Sequence, residues 1–389
     1  MKLEGLTVID LSAFLPGPHM TMTMADHGAD VIMVEPANGL GEPVREIGEK
    51  TADGLSVWFR NIARGKRSLK INLKDPRGHA LFMGLAKTAD VVVEAFRPGV
   101  VKRLGIDYAA LSSVNPRLVY CSISAFGQTG PWAQKPAHDI TVQAHAGLVD
   151  LNRGLTDDKP AMPNVPFADA SASLMALSGI LMALYRRERT GRGDYIDLSM
   201  FDAALAWTPN VLGPTFAEGR APEPKSMRSF GGAAMYNIYQ TSDQKYIVLG
   251  GSELKFAKNL LEAFGRSDLI DFAKQPPGPL QDPLKAFFRR AFEEQTLDYW
   301  RDFLEPIDCC WSWARTLKEV FEDPVVEQRG MMLRDDEGHR HVGPAIRFTD
   351  EPAQPNLTTP QYGQHSEEVA REAGCSVEVI TAMKRQGVI

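Results

Sequence analysis

The chain has 389 residues, 44% hydrophobic and 24% charged, with a formal net charge of −6. That is the composition of an ordinary globular chain, long enough for one large or two modest domains with a substantial core. The acidic balance disfavours a nucleic-acid binder, whose footprint is a basic face; no run approaches the roughly 18 apolar residues that cross a bilayer, so no membrane partner is expected.

The segment "LTVIDLS" reads as a short buried strand of β-branched and apolar residues ended by Ser12. After "FLPGP", the stretch "HMTMTMADHGA" reads as a helix stopping at Gly28, and "DVIMVEP" as a second strand stopped by Pro36. "RGHALFMGLAKTA" and "DVVVEAF" repeat the helix–strand order, and "RLVYCSISAF" adds another strand. This alternation predicts a parallel, doubly wound α/β sheet with ligands at the carboxyl ends of its strands. The dinucleotide fingerprint and the P-loop pattern are both absent, which disfavours a nicotinamide enzyme and a P-loop nucleotidase.

"DASASLMALSGILMALYRRERTGRG" reads as one long helix from near Asp169 to Gly191, with a basic last turn, and "DYIDLSMFDAALAW" as a strand and a helix. Residues 205–230 are rich in Pro and Gly and read as a linker. "YNIYQTSDQKYIVLGG" reads as a hairpin around Ser242–Gln244, followed by helices in "ELKFAKNLLEAFG", "PLKAFFRRAFEEQ" and "LDYWRDFL". The expected organisation is a large α/β domain over 1–204, the linker, a smaller α+β domain over 231–325, and a return segment over 326–389 that completes the large domain. Four cysteines, two of them adjacent, make neither a disulfide framework nor a metal-ligand spacing. With an N-terminus lacking a continuous apolar core, they predict a cytoplasmic protein.

Several residues could carry chemistry. His138 stands before Asp139, either as a neighbour of a helix N-cap or as a neutral imidazole suited to acid–base work. His145, two helical turns on, reads as packing. Asp169 is either an N-cap or a carboxylate at a helix mouth able to act as acid, base or nucleophile. Glu253 reads as a glutamate in the first turn of a helix. Arg97 follows a strand directly, a normal anion position in such sheets. Arg60, Arg64, Lys66 and Arg67 in "RNIARGKRSLKINL" read either as phosphate ligands or as a solvated charged loop.

Taken together, "LTVIDLS", "PGP", "MADHGADVIMVEP", "RGKRSLKINLKDPRG", "ADVVVEAFRPGVVKRLGIDYAALSSVNPRLVYCSIS", "FGQTGP" and "TGRGDYIDLSMFDA" resemble the class III coenzyme A transferase superfamily, which includes α-methylacyl-CoA racemases. The resemblance covers most of the chain. It implies a Rossmann-like large domain, an acyl-CoA substrate, no cofactor or metal beyond coenzyme A itself, and an interlocked homodimer of two threaded rings. In its transferases the aspartate at the position of Asp169 is the covalent nucleophile. In its racemases that aspartate exchanges a proton with a His in a "GHD" motif, and a Glu in "G-x-x-E-P-x-F" assists. Here the motifs read "AHD" and "GSELKF", so His138 and Glu253 match while Ala137 and Leu254 depart. The resemblance therefore favours a racemase of 2-methyl-branched acyl-CoA thioesters through His138, Asp169 and Glu253, with a CoA transferase as the alternative. The Asp139 N–H is the expected oxyanion donor, and Arg64, Lys66, Arg67 and Arg97 are the expected CoA ligands.

Overall fold

Six short runs rich in Val, Ile and Leu line up side by side in the computed structural model, which describes residues 1–154 and 158–389. They are β1 (Thr7–Leu11), β2 (Asp30–Pro36), β3 (Arg67–Ile71), β4 (Val91–Glu94), β5 (Val119–Ser124) and β6 (Tyr195–Ser199). All neighbours are parallel, in the order β3-β2-β1-β4-β5-β6. Strands β1, β4 and β5 are buried on both faces because helices cover both sides of a parallel sheet. The doubly wound α/β sheet expected from the sequence is therefore present, and its strand order reverses between β1 and β4.

The chain divides into two compact units, Met1–Ala146 with Val165–Trp207 and Asp323–Ile389, and Gly147–Asn164 with Thr208–Glu322. In the first, Ile9, Leu69, Phe82 and Tyr120 share one core with Val369, Ile380 and Met383 from the helices Ser366–Glu372 and Val377–Arg385. Each fully buried aliphatic or phenyl side chain there contributes about 1.5–3 kcal/mol. The second unit holds an antiparallel sheet of β7 (Tyr236–Gln240), β8 (Tyr246–Gly250) and β9 (Trp311–Trp313). Tyr239, Phe288, Phe292 and Trp300 form its core with the helices Asp282–Glu293 and Leu297–Leu304. Within the segment read as a linker, Gly213–Glu218 forms a short helix, and 208–230 clusters with this unit. A hairpin of β10 (Met332–Arg334) and β11 (Arg340–Val342) belongs to the first unit.

Two expectations are corrected. The stretch "RNIARGKRSLKINL" is not a charged loop, because Val57–Ala63 is helical and Arg67–Ile71 is β3. Its cations close the fold instead: buried Arg64 pairs with Asp26 at 2.6 Å, and Arg67 pairs with Asp30, Glu368 and Glu372. The second correction concerns helix Phe167–Thr190, which by length and composition alone is apolar enough to cross a membrane, with a mean hydropathy of 1.6 over 18 residues. Ala, Ser and Gly interleave its larger apolar residues, so the sequence does not read as one apolar run. It packs on helix Pro16–Asp26, β5 and β6, burying Ala168, Ala172, Ala176, Ile180 and Leu184. It ends at Gly191, whose φ of +68° is the left-handed cap that glycine adopts without strain.

Behind the loop that follows β1 lies a fully buried ion pair. Lys66 Nζ reaches Asp10 Oδ2 at 3.1 Å, the Pro18 carbonyl at 2.9 Å and Thr21 Oγ1 at 2.8 Å. Asp10 also accepts from Ser12 N at 2.9 Å and from the Ser12 and Thr21 hydroxyls. All three ammonium donors are satisfied, which makes a dry site for this cation tolerable. Replacing Lys66 by Met leaves Asp10 buried without its counter-charge and should cost about 3–5 kcal/mol. Urea unfolding followed by circular dichroism checks this, and the double variant Lys66→Met/Asp10→Leu should recover much of the loss.

Candidate active site at the strand crossover

The reversal of strand order leaves a crevice at the carboxyl edge of the sheet, where open α/β folds bind ligands. A cavity of about 620 Å³ opens there. Phe14 reaches it from beyond β1, Phe96 and Arg97 from beyond β4, Ala125 from beyond β5 and Met200 from beyond β6. His138 and Asp169 line the same cavity from two helix starts. A neighbouring cavity of about 440 Å³ lies at the ends of β1, β2 and β3, lined by Asn38, Asn72 and Lys74, and shares Ala13 and Phe96 with the first.

His138 is the N-cap residue of helix Asp139–His145. Its backbone does the capping: its N–H donates to Thr141 Oγ1 at 3.0 Å, and its carbonyl accepts from Thr141 and Val142. The imidazole caps nothing and is exposed toward the cavity, with the Phe14 ring perpendicular to it at 5.8 Å between centroids. Asp139 is thus not the N-cap expected of it, since it occupies the first helical position. Its carboxylate caps a different helix: Oδ1 accepts from Ala168 N at 2.8 Å and Asp169 N at 3.1 Å, and Oδ2 accepts from Gln143 at 2.6 Å. Pro166 begins helix Phe167–Thr190 without any side-chain cap, so Asp139 satisfies N–H groups left open at that end. A negative charge there also suits the helix dipole.

Asp169 stands in the first turn of that helix, half-buried. Burial pushes its carboxyl up to about 7 from the usual 3.8, and the nearby Asp139 charge pushes the same way. A carboxyl in that range can donate or accept a proton near neutrality.

Arg97 is exposed and lines the cavity, as the sequence suggests for an anion position. Arg64, Lys66 and Arg67 line neither cavity, and the reading of them as CoA ligands is corrected by the ion pairs that occupy them. Glu253 belongs to the second unit, exposed at the N-cap position of helix Leu254–Ala263. His145 packs against Phe126 and Trp132, and its Nε2 meets Lys135 Nζ at 2.5 Å. Sequence reasoning missed Phe14 and Lys135 as cavity residues and the Asp139 carboxylate as a cap. A proline at the start of a helix with no Ser, Thr, Asp or Asn just before it was the one local sign that a cap comes from elsewhere. Among the described residues, Asp53, Glu337 and His339 could together hold a metal ion, but none of them lines these cavities.

Because folding raises the Asp169 pKa, the folded chain holds this proton more tightly than the unfolded one. The contribution favours the folded state fully below about 3.8 and is lost as pH rises through about 7. Asp169→Asn should therefore gain stability relative to the parent chain between pH 4 and pH 8, measured by thermal melts. In a carbon-13 titration, Asp139→Asn should lower the Asp169 midpoint while leaving it above the ordinary carboxylate range, since burial is the larger cause.

The comparison with known proteins fits this geometry. The family CoA-transferase family III matches residues 3–366. The chain is 38% identical to acetyl-CoA:oxalate CoA-transferase of Acetobacter aceti, over 85% of each chain. It is 32% identical to human alpha-methylacyl-CoA racemase, over 100% of this chain and 98% of that protein. A CAIB/BAIF family protein from Brucella suis superposes with a TM-score of 0.83 at 30% identity, over 95% of this chain and 99% of that one. The family includes both racemases and CoA transferases. The chain is an enzyme belonging to CoA-transferase family III.

Proposed function

We propose that the protein is a racemase or epimerase of 2-methyl-branched acyl-CoA thioesters that moves the α-proton between His138 and Asp169. The observation that carries this reading is one cavity lined by both an exposed imidazole and a carboxyl raised to about 7. A hydrogen α to a thioester is weakly acidic, so its removal needs a placed base and a donor to the enolate oxygen. Neutral His138 takes the proton from one face, breaking C–H and forming N–H. The carboxylic acid of Asp169 then gives its proton to the other face, breaking O–H and forming the new C–H. The opposite enantiomer runs the roles in reverse, and exchange with water resets both groups. The Asp139 N–H, in the first turn and without an intrahelical acceptor, is the proposed oxyanion donor. Glu253 is the assisting carboxylate on the resemblance alone.

Coenzyme A is part of the substrate, and the reading needs no metal or further cofactor. The smaller cavity, with Lys74, Asn38 and Asn72, suits the nucleotide end, and Arg97 and Lys135 supply cations for its phosphates. A cytoplasmic homodimer completes the proposal. It is supported by free cysteines and by a helix Phe167–Thr190 that leaves Met182 and Tyr185 69% and 66% exposed beside Leu174 and Leu181. The interlocking of the two chains rests on the resemblance.

The 38% identity to a CoA transferase favours a second reading, in which ionised Asp169 attacks the thioester carbonyl and expels the CoA thiolate to form an anhydride. Incubation of a 2-methylacyl-CoA in deuterated water separates the two. Racemisation should deuterate the α-carbon without exchanging CoA, and His138→Ala should slow deuteration by about 10²–10⁴-fold. Acid-dependent CoA exchange with hydroxylamine-sensitive labelling of Asp169, and no α-deuteration, would replace the first reading by the second.

A further inference from the structure

Phe14 has a φ of +67° in a loop between a strand and a helix. A bulky side chain in the left-handed region is a steric outlier, and such outliers persist only where surrounding contacts over-determine them. Here the contact is a buried carboxylate. The Phe14 N–H donates to Glu42 Oε1 at 2.6 Å, while Glu42 Oε2 accepts from Val44 N at 2.5 Å. Glu42 is only 4% exposed and is held in turn: its own N–H donates to Glu35 Oε2 at 2.8 Å, and Glu35 is clamped by Arg45 at 2.7 Å. The Arg45 guanidinium lies 4.1 Å from the Phe59 ring centroid. This chain of contacts runs from the end of β2 to a single backbone N–H beyond β1. Its outcome is a phenyl ring 38% exposed on the cavity wall, perpendicular to the His138 imidazole at 5.8 Å.

The ring joins neither the core cluster around Ile9 and Phe82 nor the one around Phe59 and Ile62, and glycine would take the same φ without strain. The imidazole it touches makes no side-chain capping bond, and the perpendicular Phe14 ring is a contact that restricts how His138 turns. We propose that Phe14 is a positioning residue for His138, held in a strained backbone conformation by Glu42 so that its ring orients the imidazole toward the reacting carbon. The catalytic part of this rests on the proton-exchange reading above; the positioning part does not.

Two independent readouts test it. Phe14→Gly removes the ring and the strain together, so its melting temperature should equal or exceed that of the parent chain. Its kcat for α-deuteration should nevertheless fall about 10–100-fold with little change in KM, since misplacing a reacting group by about 1 Å has that effect. Phe14→Tyr, which keeps the ring, should recover much of the lost kcat. Glu42→Gln offers one acceptor oxygen to two N–H groups and should lower kcat in the same direction. Separately, the His138 imidazole resonance in histidine-labelled protein should move in Phe14→Gly while that of His145 stays put. If wild-type protein shows no α-deuteration but the His138 resonance moves, proton exchange is lost and the positioning stands. If deuteration is intact in Phe14→Gly and the His138 resonance does not move, the positioning is overturned and proton exchange stands.

Discussion

The buried pair of Lys66 and Asp10 is the contact on which the site end of the first unit depends. Its ammonium joins the last residues of β1, the carbonyl of Pro18 and the hydroxyl of Thr21 at one point. That point sets where the chain leaves the sheet, and so where Ala13 and Phe14 meet the cavity. The approach is close: a Cβ on Gly17 would fall 2.1 Å from Ser12 Oγ, so only glycine lets the loop fold back on itself here. A hydrophobic replacement for the pair would be cheaper in desolvation, but it would define no direction for the loop.

A second carboxylate does similar work on the other side of the cavity. Asp139 starts one helix and caps another, which ties the backbone of His138 to that of Asp169 through one side chain. Burial is the larger cause of the raised Asp169 carboxyl, and the same Asp139 charge adds to it. Asp139 therefore contributes to both the position of Asp169 and its proton affinity. A carboxylate placed there for capping alone would have the same electrostatic effect, so structure and chemistry cannot be separated at this residue.

Much of this was legible in the chain itself. The apolar runs of β1, β2, β4 and β5, the glycine stop at Gly191 and the hairpin about Ser242–Gln244 are local signals, and the strands and helices lie where those signals put them. Arg64, Lys66 and Arg67 show the limit. As letters they form a basic cluster, and a cluster of cations between two elements reads as an anion site. Their partners Asp26, Asp10 and Asp30 are 38, 56 and 37 residues away in the chain, so no local pattern reveals that these charges are already paired. Phe14 was hidden for a related reason. A positive φ at a phenylalanine is imposed by a hydrogen bond to a glutamate 28 residues on, and propensity argues against it.

By itself the sequence determined the doubly wound sheet and the long helix of small and apolar residues, because each depends on periodicity, while His138, Asp169 and Glu253 were singled out only by resemblance to a family motif. Tertiary structure alone decided which charges were spent on folding and which face a cavity. It also decided that Asp139 caps a helix other than its own and that Asp169 holds its proton to about pH 7. Those properties belong to pairs of distant residues and to the water excluded between them, and neither is a property of any segment.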